Sequence, residues 1–530
     1  MKTNARILII VFWSLFIGSI TFVWSGLFVD SLIVPKWIAF GIFGVLLILF
    51  NAVRILTNTD TKMIIFPDMQ DMLCIISAIL SVLSLAGILQ YHGQISILAN
   101  RATTVSYDNP AGFAATLAVG LPFVLLGMLS KSRFHRNLHT TTFGLLIIAM
   151  ALSYSRAGVC SILAVFLLGG FKFITKRAPL KVGLIIAWIF ILAMLFMLKP
   201  DSASGRMLIW ICALQMIKDR WLFGHGPGGF ESNYMDYQAA YFQAHPNSPY
   251  AQLADTVQYP FNEYLYITVN YGIVGLSIVL TFLVYLIYRY YKNKSTERLA
   301  ALLCIISASV FALFSYPLMY PFIWFAVIYS TSILMEDIKV PLARKYTIMR
   351  TSAAVAIIFC CFVSYKLYIW TDAEIRWKRV AISQHADKNI LAEYADIYKT
   401  LHDDRYFMYN YAYKLYQVGD NVSAYKYARE CRKLWADYDI EIMLGNISNR
   451  LGNVGEAESH YNKAKNMCPN HFRPLSYLMK LSEENTDYPK AVRFAKEILC
   501  KEIKIPSTEI DQIRREAERI VETYCMHQDL

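Results

Sequence analysis

The chain has 530 residues; 56% are hydrophobic, 17% are charged, and mean hydropathy is +0.38. A soluble globular protein is nearer half apolar and one quarter charged, so an ordinary soluble domain is excluded. The net charge of +12 fits the basic cytoplasmic loops of a multispanning protein, and no nucleic-acid partner is expected.

Apolar runs that reach the ~20 residues of a bilayer crossing lie near 7–28, 32–53, 71–90, 111–130, 141–155, 157–174, 181–199, 264–289, 299–316, 320–336 and 351–371. The first follows Lys2 and Arg6. It is too long for the h-region of a signal peptide and is read as a retained span. With the N-terminus inside, the inner loops carry Arg54 and Lys62; Lys131, Arg133 and Arg136; Lys172, Lys176, Arg177 and Lys181; Arg289, Lys292, Lys294 and Arg298; and Lys339, Arg344, Lys345 and Arg350. The long outer loop, 200–262, carries only Arg206, Lys218 and Arg220. The positive-inside rule supports this orientation. An odd span count then puts the C-terminal domain outside, which in a bacterium is the periplasm.

Composition changes near Trp370, and the tail 372–530 is polar with a helical pattern. Gly452, Ala457, Tyr461, Ala464 and Pro469 repeat the spacing of Gly419, Ala424, Ala428, Cys431 and Ala436, 33 residues earlier. Small residues at a period of ~34 resemble tetratricopeptide repeats, in which helix pairs stack because none buries its apolar face alone. The expected fold is therefore all-α: a polytopic membrane bundle of about eleven spans over 1–371, then an α-solenoid over 372–530. Ten cysteines are scattered without a Cys-x-x-Cys pair, so neither a zinc site nor a redox motif is indicated.

The candidate chemistry gathers between residues 142 and 290. Arg156 follows Ser155 at the outer end of a span and is followed at once by Ala157-Gly158 and another span. Fixed cations at the ends of membrane helices are costly unless something anionic uses them. Arg206 follows Ser-Ala-Ser-Gly, read as a flexible stretch, and opens an apolar segment. A planar fork donor suits a diphosphate. The loop from Gly224 to Phe230 has four glycines in six positions without the Gly-Lys-Ser/Thr ending of a P-loop. Gly226 and Gly229 are candidates for close backbone approach to a substrate. His225 and His245 are candidate bases, each alternatively an ordinary loop histidine. Glu263, beside Asn262 at the start of the next span, is either a helix N-terminal charge or a general base. No carboxylate cluster is spaced for a divalent metal, so metal-free chemistry with no cofactor is expected.

These motifs carry a resemblance. From Asp108-Asn109-Pro110-Ala111-Gly112-Phe113-Ala114, through Ser155-Arg156, Ser204-Gly205-Arg206, the Gly loop and Asn262-Glu263-Tyr264-Leu265, to Gly272-Ile273-Val274-Gly275-Leu276, the chain resembles the O-antigen ligase/polymerase superfamily of membrane glycosyltransferases. The resemblance covers roughly half the chain and excludes the tail. It implies a metal-independent transfer of glycan from undecaprenyl diphosphate, on the periplasmic face of the bacterial inner membrane. The acceptor is lipid A core, a growing glycan or a protein hydroxyl. The family's diphosphate-binding arginines fall on Arg156 and Arg206, with Asn262 and the glycines Gly226 and Gly229 as further substrate contacts. Many members have His where this chain has Phe261, which leaves Glu263, His225 or His245 as base, or none where phosphate departure drives the reaction. The rivals are a polymerase or protein O-oligosaccharyltransferase, a transporter or flippase, and a membrane-anchored repeat scaffold. A repeat domain hints at a protein partner or acceptor.

Overall fold

The computed structural model describes residues 3–57, 66–94, 103–173, 200–336, 342–383 and 387–525, and it is all-helical with no strand among them. The helices are α1 Thr3–Phe22, α2 Val34–Thr57, α3 Met69–Tyr91, α4 Pro110–Gly127, α5 Arg133–Leu152, α6 Arg156–Phe173, α7 Pro200–Asp219, α8 Gly229–Ala244, α9 Glu263–Lys292, α10 Thr296–Ala312, α11 Pro321–Met335, α12 Leu342–Ala381, α13 Lys388–Leu401, α14 Arg405–Val418, α15 Asn421–Leu434, α16 Tyr438–Arg450, α17 Val454–Met467, α18 Arg473–Glu484, α19 Tyr488–Cys500 and α20 Thr508–Cys525. Ten of the expected spans coincide with α1–α6 and α9–α12; the expected span at 181–199 lies outside the described residues. By length and composition, α2, α3, α4, α9 and the Met349–Ala381 part of α12 suffice to cross a membrane. The chain groups into two compact units: 1–197, 261–263 and 278–378 form the first, and 198–260, 264–277 and 379–530 the second.

In the first unit, α4 is the central helix: nearly all its residues are buried, among α3, α5, α6, α10 and α11. Side-chain contacts tie helix ends into two sets: Arg6 meets Asp71 and Gln70 meets Ser130 in one, and Lys36 meets Ser106 and Tyr320 meets Asp108 in the other. One set carries Arg54, Lys131, Arg133, Arg136, Lys292, Lys294 and Arg298. Gln70 Nε2 meets the Ser130 hydroxyl at 3.0 Å there, and Arg298 donates to the Leu334 carbonyl at 2.5 Å. The other set carries Asp30, Asp108, Arg156 and Glu263. The fifth helix is longer than hydropathy suggested. Its first turns, Arg133 to Thr142, are polar, and His139 is buried there against the Ser77 hydroxyl at 2.7 Å. The composition change at Trp370 lies inside α12, which continues to Ala381.

In the second unit, α14 packs with α15, α16 with α17 and α18 with α19, while α20 closes the end against α19. The spacing noted in the sequence has a packing cause. Ala424, Ala428, Cys431, Ala457, Ala464 and Ala491 are all fully buried between helices. A Cβ on Gly445 would lie 2.4 Å from the Tyr461 ring, so only glycine admits that aromatic. Gly419 and Gly452, at φ +89 and +80, end α14 and turn the chain after α16; that region favours glycine.

Candidate functional site

The motif around Asn109 builds one end of α4 in the first unit. The Asn109 side chain caps the helix by accepting from the N–H groups of Ala111 and Gly112 at 2.8 and 3.0 Å, and Pro110 takes the first turn, where its missing N–H costs nothing. A Cβ on Gly112 would lie 2.5 Å from the Tyr320 ring and 2.9 Å from that of Tyr107. The glycine therefore lets two aromatics close over the helix start. The Tyr320 hydroxyl donates to Asp108 Oδ1 at 2.9 Å, and Asn109 Nδ2 donates to Asp108 Oδ2 and to the Tyr316 hydroxyl, both at 2.9 Å. Behind them, the buried Lys36 ammonium donates to the carbonyls of Val23, Leu32 and Ser106 at 3.0, 2.6 and 2.6 Å. All three of its donors are used, which makes it a brace for the loop before Asp108.

Glu263 joins this group. It is 7% exposed, and one carboxylate oxygen accepts the Leu318 N–H at 3.2 Å. The Phe261 ring, two residues before it, lies 5.6 Å from that of Tyr316. Asn262 stands between them, half-buried. Arg156 is the first residue of α6; Ser155 Oγ accepts the Gly158 N–H at 3.2 Å and fixes that helix start. At the start of α6, a Cβ on Gly158 would lie 2.5 Å from the Met150 sulfur and 3.2 Å from Ala114 Cβ, so the glycine admits both neighbours. Among the described residues of this unit, three other than glycine hold positive φ: Val105, Tyr154 and Phe261, at +52, +50 and +52. Each lies within three residues of Asp108, Arg156 or Glu263. Such conformations are costly for bulky side chains and cluster where geometry is imposed for function.

Arg206 falls in the second unit, inside α7 rather than after a loop, because Ser202 to Gly205 are helical. The Gly loop joins α7 to α8 and docks on a break in α9. Gly272, at φ +65 and ψ −167, interrupts α9, and Ile273 and Val274 donate to the carbonyls of Trp221 and Leu222 at 2.9 and 3.3 Å. In return, His225 and Gly226 donate to the carbonyls of Val269 and Asn270, both at 2.8 Å, and the Asn270 side chain accepts from Phe230 N–H at 2.8 Å. The Gly229 amide donates to the Gly226 carbonyl at 3.0 Å. The amides of Gly226 and Gly229 are thus engaged within the protein; Gly224 and Gly229 answer to close packing, a Cβ lying 2.5 Å from the Asn270 backbone and from His225 Cβ respectively, while Gly226 is required by its φ of +91. Residues 273–292 still form a helix of about 30 Å, enough for a crossing.

Gly272→Ala brings a Cβ within 2.1 Å of the Leu222 carbonyl at a φ that disfavours side chains. It is expected to cost about 1–3 kcal/mol and to release the loop. Limited proteolysis of the full-length protein should then cut between 221 and 228 faster than in the wild type.

The histidines divide by geometry. His225 Nε2 lies 3.0 Å from the Met216 carbonyl. A carbonyl only accepts, so Nε2 carries the proton and Nδ1 is the acceptor in the neutral ring. His245 ends α8, with Nδ1 donating to the Tyr241 carbonyl at 2.9 Å and its ring stacked on that of Tyr241 at 4.7 Å.

Sequence reasoning missed how α8 is held. Its Asp236 accepts from Arg432 at 2.5 Å and Lys463 at 2.8 Å. Arg432 also meets the buried Glu441 at 2.6 Å, and Glu441 meets His460 at 2.6 Å. Fully buried Gln238 donates to the carbonyls of Met467 and Asp255 at 2.7 and 3.1 Å. Helix α8 is therefore clamped to α15, α16 and α17 by charge and amide. These partners lie up to 229 residues apart in the chain, beyond any local pattern.

Comparison with known proteins adds three findings. No curated protein matches the chain. The crystal structure of the yeast Tom70 aligns with 92% of this chain and 96% of its own, at 11% identity and a TM-score of 0.26. Residues 141–280, which hold Arg156, Arg206, the Gly loop and Glu263, match the family model Wzy_C, O-Antigen ligase. With its apolar helices, this match makes the chain a multi-pass membrane protein and supports glycan transfer at the membrane.

Proposed function

We propose that the protein transfers a glycan from undecaprenyl diphosphate to an acceptor hydroxyl at the periplasmic face of the bacterial inner membrane. The observation that carries this reading is Arg156 as the first residue of α6, inside the matched segment. A helix N-terminus and a guanidinium together favour a phosphate. Arg206 is the second cation of the reading, with Asn262 and the loop glycines Gly226 and Gly229 beside the sugar–diphosphate. The acceptor oxygen attacks the anomeric carbon as its bond to the diphosphate breaks. The diphosphate leaves with the electron pair, and the acceptor proton passes to Glu263, the buried carboxylate of the polar cluster. His225 Nδ1 and His245 Nε2 are the alternative acceptors of that proton. Both phosphates carry charge before and after the step, so fixed cations suffice and the reading includes no metal or cofactor.

The domain reading assigns 1–371 to membrane transfer and 372–530 to a repeat domain outside the membrane. A protein acceptor is a second reading, favoured by the clamp that joins the outer-loop helix α8 to the repeats. A flippase or a bare scaffold gives no reason for the strained residues beside Arg156 and Glu263.

The proposed topology has the N-terminus and Lys294 inside and the C-terminus outside, a reading supported by the basic helix ends. Reporters fused after Lys294 and after Leu530 are expected to report opposite sides; the same side for both contradicts the topology. The test of function is transfer from undecaprenyl-diphosphate-linked glycan in membranes, with and without the protein.

A further inference from the structure

Three segments remote in sequence bring a thiol, an imidazole and a carboxylate together in the second unit. Cys468 caps the end of α17, fully buried, and the His471 N–H donates to the Cys468 carbonyl at 3.0 Å. That turn sets Cys-x-x-His as a pair. Asp255 arrives from the segment after α8, its carbonyl held by Gln238. One ligand atom from each of Asp255, Cys468 and His471 lies within 4.8 Å of the others. Asp255 Oδ1 and His471 Nε2 are 3.8 Å apart. That is too long for a hydrogen bond and close to the ~3.3 Å edge of a tetrahedron whose ligands sit 2.0–2.1 Å from zinc.

A second observation points to a ligand there. A cavity of about 420 Å³ borders Asp255 and His471. Tyr438 lines it, 3% exposed; its hydroxyl has no hydrogen-bond partner among the described residues, and its ring meets that of His471 edge-on at 4.7 Å. A buried phenol without a partner calls for an explanation. Asp439 also lines the cavity. Arg473 beside it is matched by Glu509, and Lys501 donates to the Pro469 carbonyl. Asp255 and Asp439 thus bring carboxylates to this cavity, with Arg473 and Lys504 on the same lining.

The geometry points to a site for a divalent cation of the zinc class, held by Cys468 Sγ, His471 and Asp255, with a fourth position open to the cavity and the Tyr438 hydroxyl. Thiolate with imidazole selects zinc or cobalt over magnesium or calcium. Cys468 binds as the thiolate and releases its proton to solvent. The bound cation fastens the segment after α8 to the end of α17, in series with the Gln238 clamp. The role is structural and independent of the transfer chemistry.

The test uses the full-length protein in detergent, stripped with EDTA and dialysed, then titrated with Zn²⁺ and with Co²⁺. One equivalent of Zn²⁺ is expected to bind and to raise the melting temperature. Co²⁺ should give a thiolate-to-cobalt charge-transfer band that is absent in Cys468→Ser. Asp255→Asn changes an exposed side chain, leaves the fold intact and should weaken Zn²⁺ by about tenfold or more. Absence of Zn²⁺ binding in the wild type, or equal affinity in Cys468→Ser and Asp255→Asn, overturns the site.

Discussion

Arg156→Ala and Arg206→Ala are each expected to lower glycan transfer by roughly 30-fold to several-thousand-fold at normal protein level. Removing one partner of a desolvated charge pair costs ~2–5 kcal/mol, and each 1.36 kcal/mol is about tenfold in rate. Arg156→Lys should recover little, because an ammonium cannot form the bidentate fork. The measurement is initial transfer rate from undecaprenyl-diphosphate glycan in membranes, with protein level matched by blotting. In the same assay, Glu263→Gln, His225→Ala and His245→Ala separate the proton acceptors. Glu263→Gln is expected to be the severe one, since Glu263 alone of the three belongs to the Asp108–Tyr320 cluster side of α4. Full transfer by both arginine variants contradicts the diphosphate clamp.

Glu441→Gln is expected to cost about 3–5 kcal/mol of folding stability, the usual consequence of breaking a buried ion network from one side. Burial alone would raise the Glu441 carboxyl, but the hydrogen bond from His460 and the charges of Arg432 and Lys463 outweigh it and hold the group at about 2. A depressed carboxylate contributes stability above its unfolded value, near 4.5, and loses it as pH falls toward 2. That contribution is about 3 kcal/mol. Asp437 has the opposite sign: burial pushes it up to about 7, so its contribution falls as pH rises from about 4 through 7. Urea unfolding of the full-length protein between pH 3 and 8 separates them. Glu441→Gln should flatten the acid limb below about pH 4.5, and Asp437→Asn the opposing slope above it. An unchanged acid limb in Glu441→Gln contradicts the network's role.

Periodicity and hydropathy sufficed where one physical rule acts alone. Apolar length located α2, α3 and α4, and the buried alanines at 424, 457 and 491 were visible because helix contact demands small residues at a fixed period. The start of α5 was not visible, because its buried His139 and Thr142 are polar residues that hydrogen-bond to Ser77 of α3. Nor was the break in α9. Gly272 sits in a mainly apolar run long enough to read as one span, and the carbonyls that receive its neighbours belong to Trp221 and Leu222. The candidate site was half legible. Glu263, Asn262 and Arg156 announced themselves as polar residues at span boundaries, whereas Tyr316 and Tyr320 carried no local signal, because their partners Asn109 and Asp108 lie 207 and 212 residues away in the chain. Cys468, His471 and Asp255 share no local spacing that links all three, so only the fold assembles them.

The most direct test of the central claim is reconstitution. The full-length protein in liposomes receives an undecaprenyl-diphosphate-linked glycan and a hydroxyl acceptor, and free undecaprenyl diphosphate and glycosylated acceptor are followed together. The account predicts that both appear in equal amounts with the wild type and that neither appears with Arg156→Ala. Movement of intact lipid-linked glycan across the bilayer with no release of undecaprenyl diphosphate would contradict it.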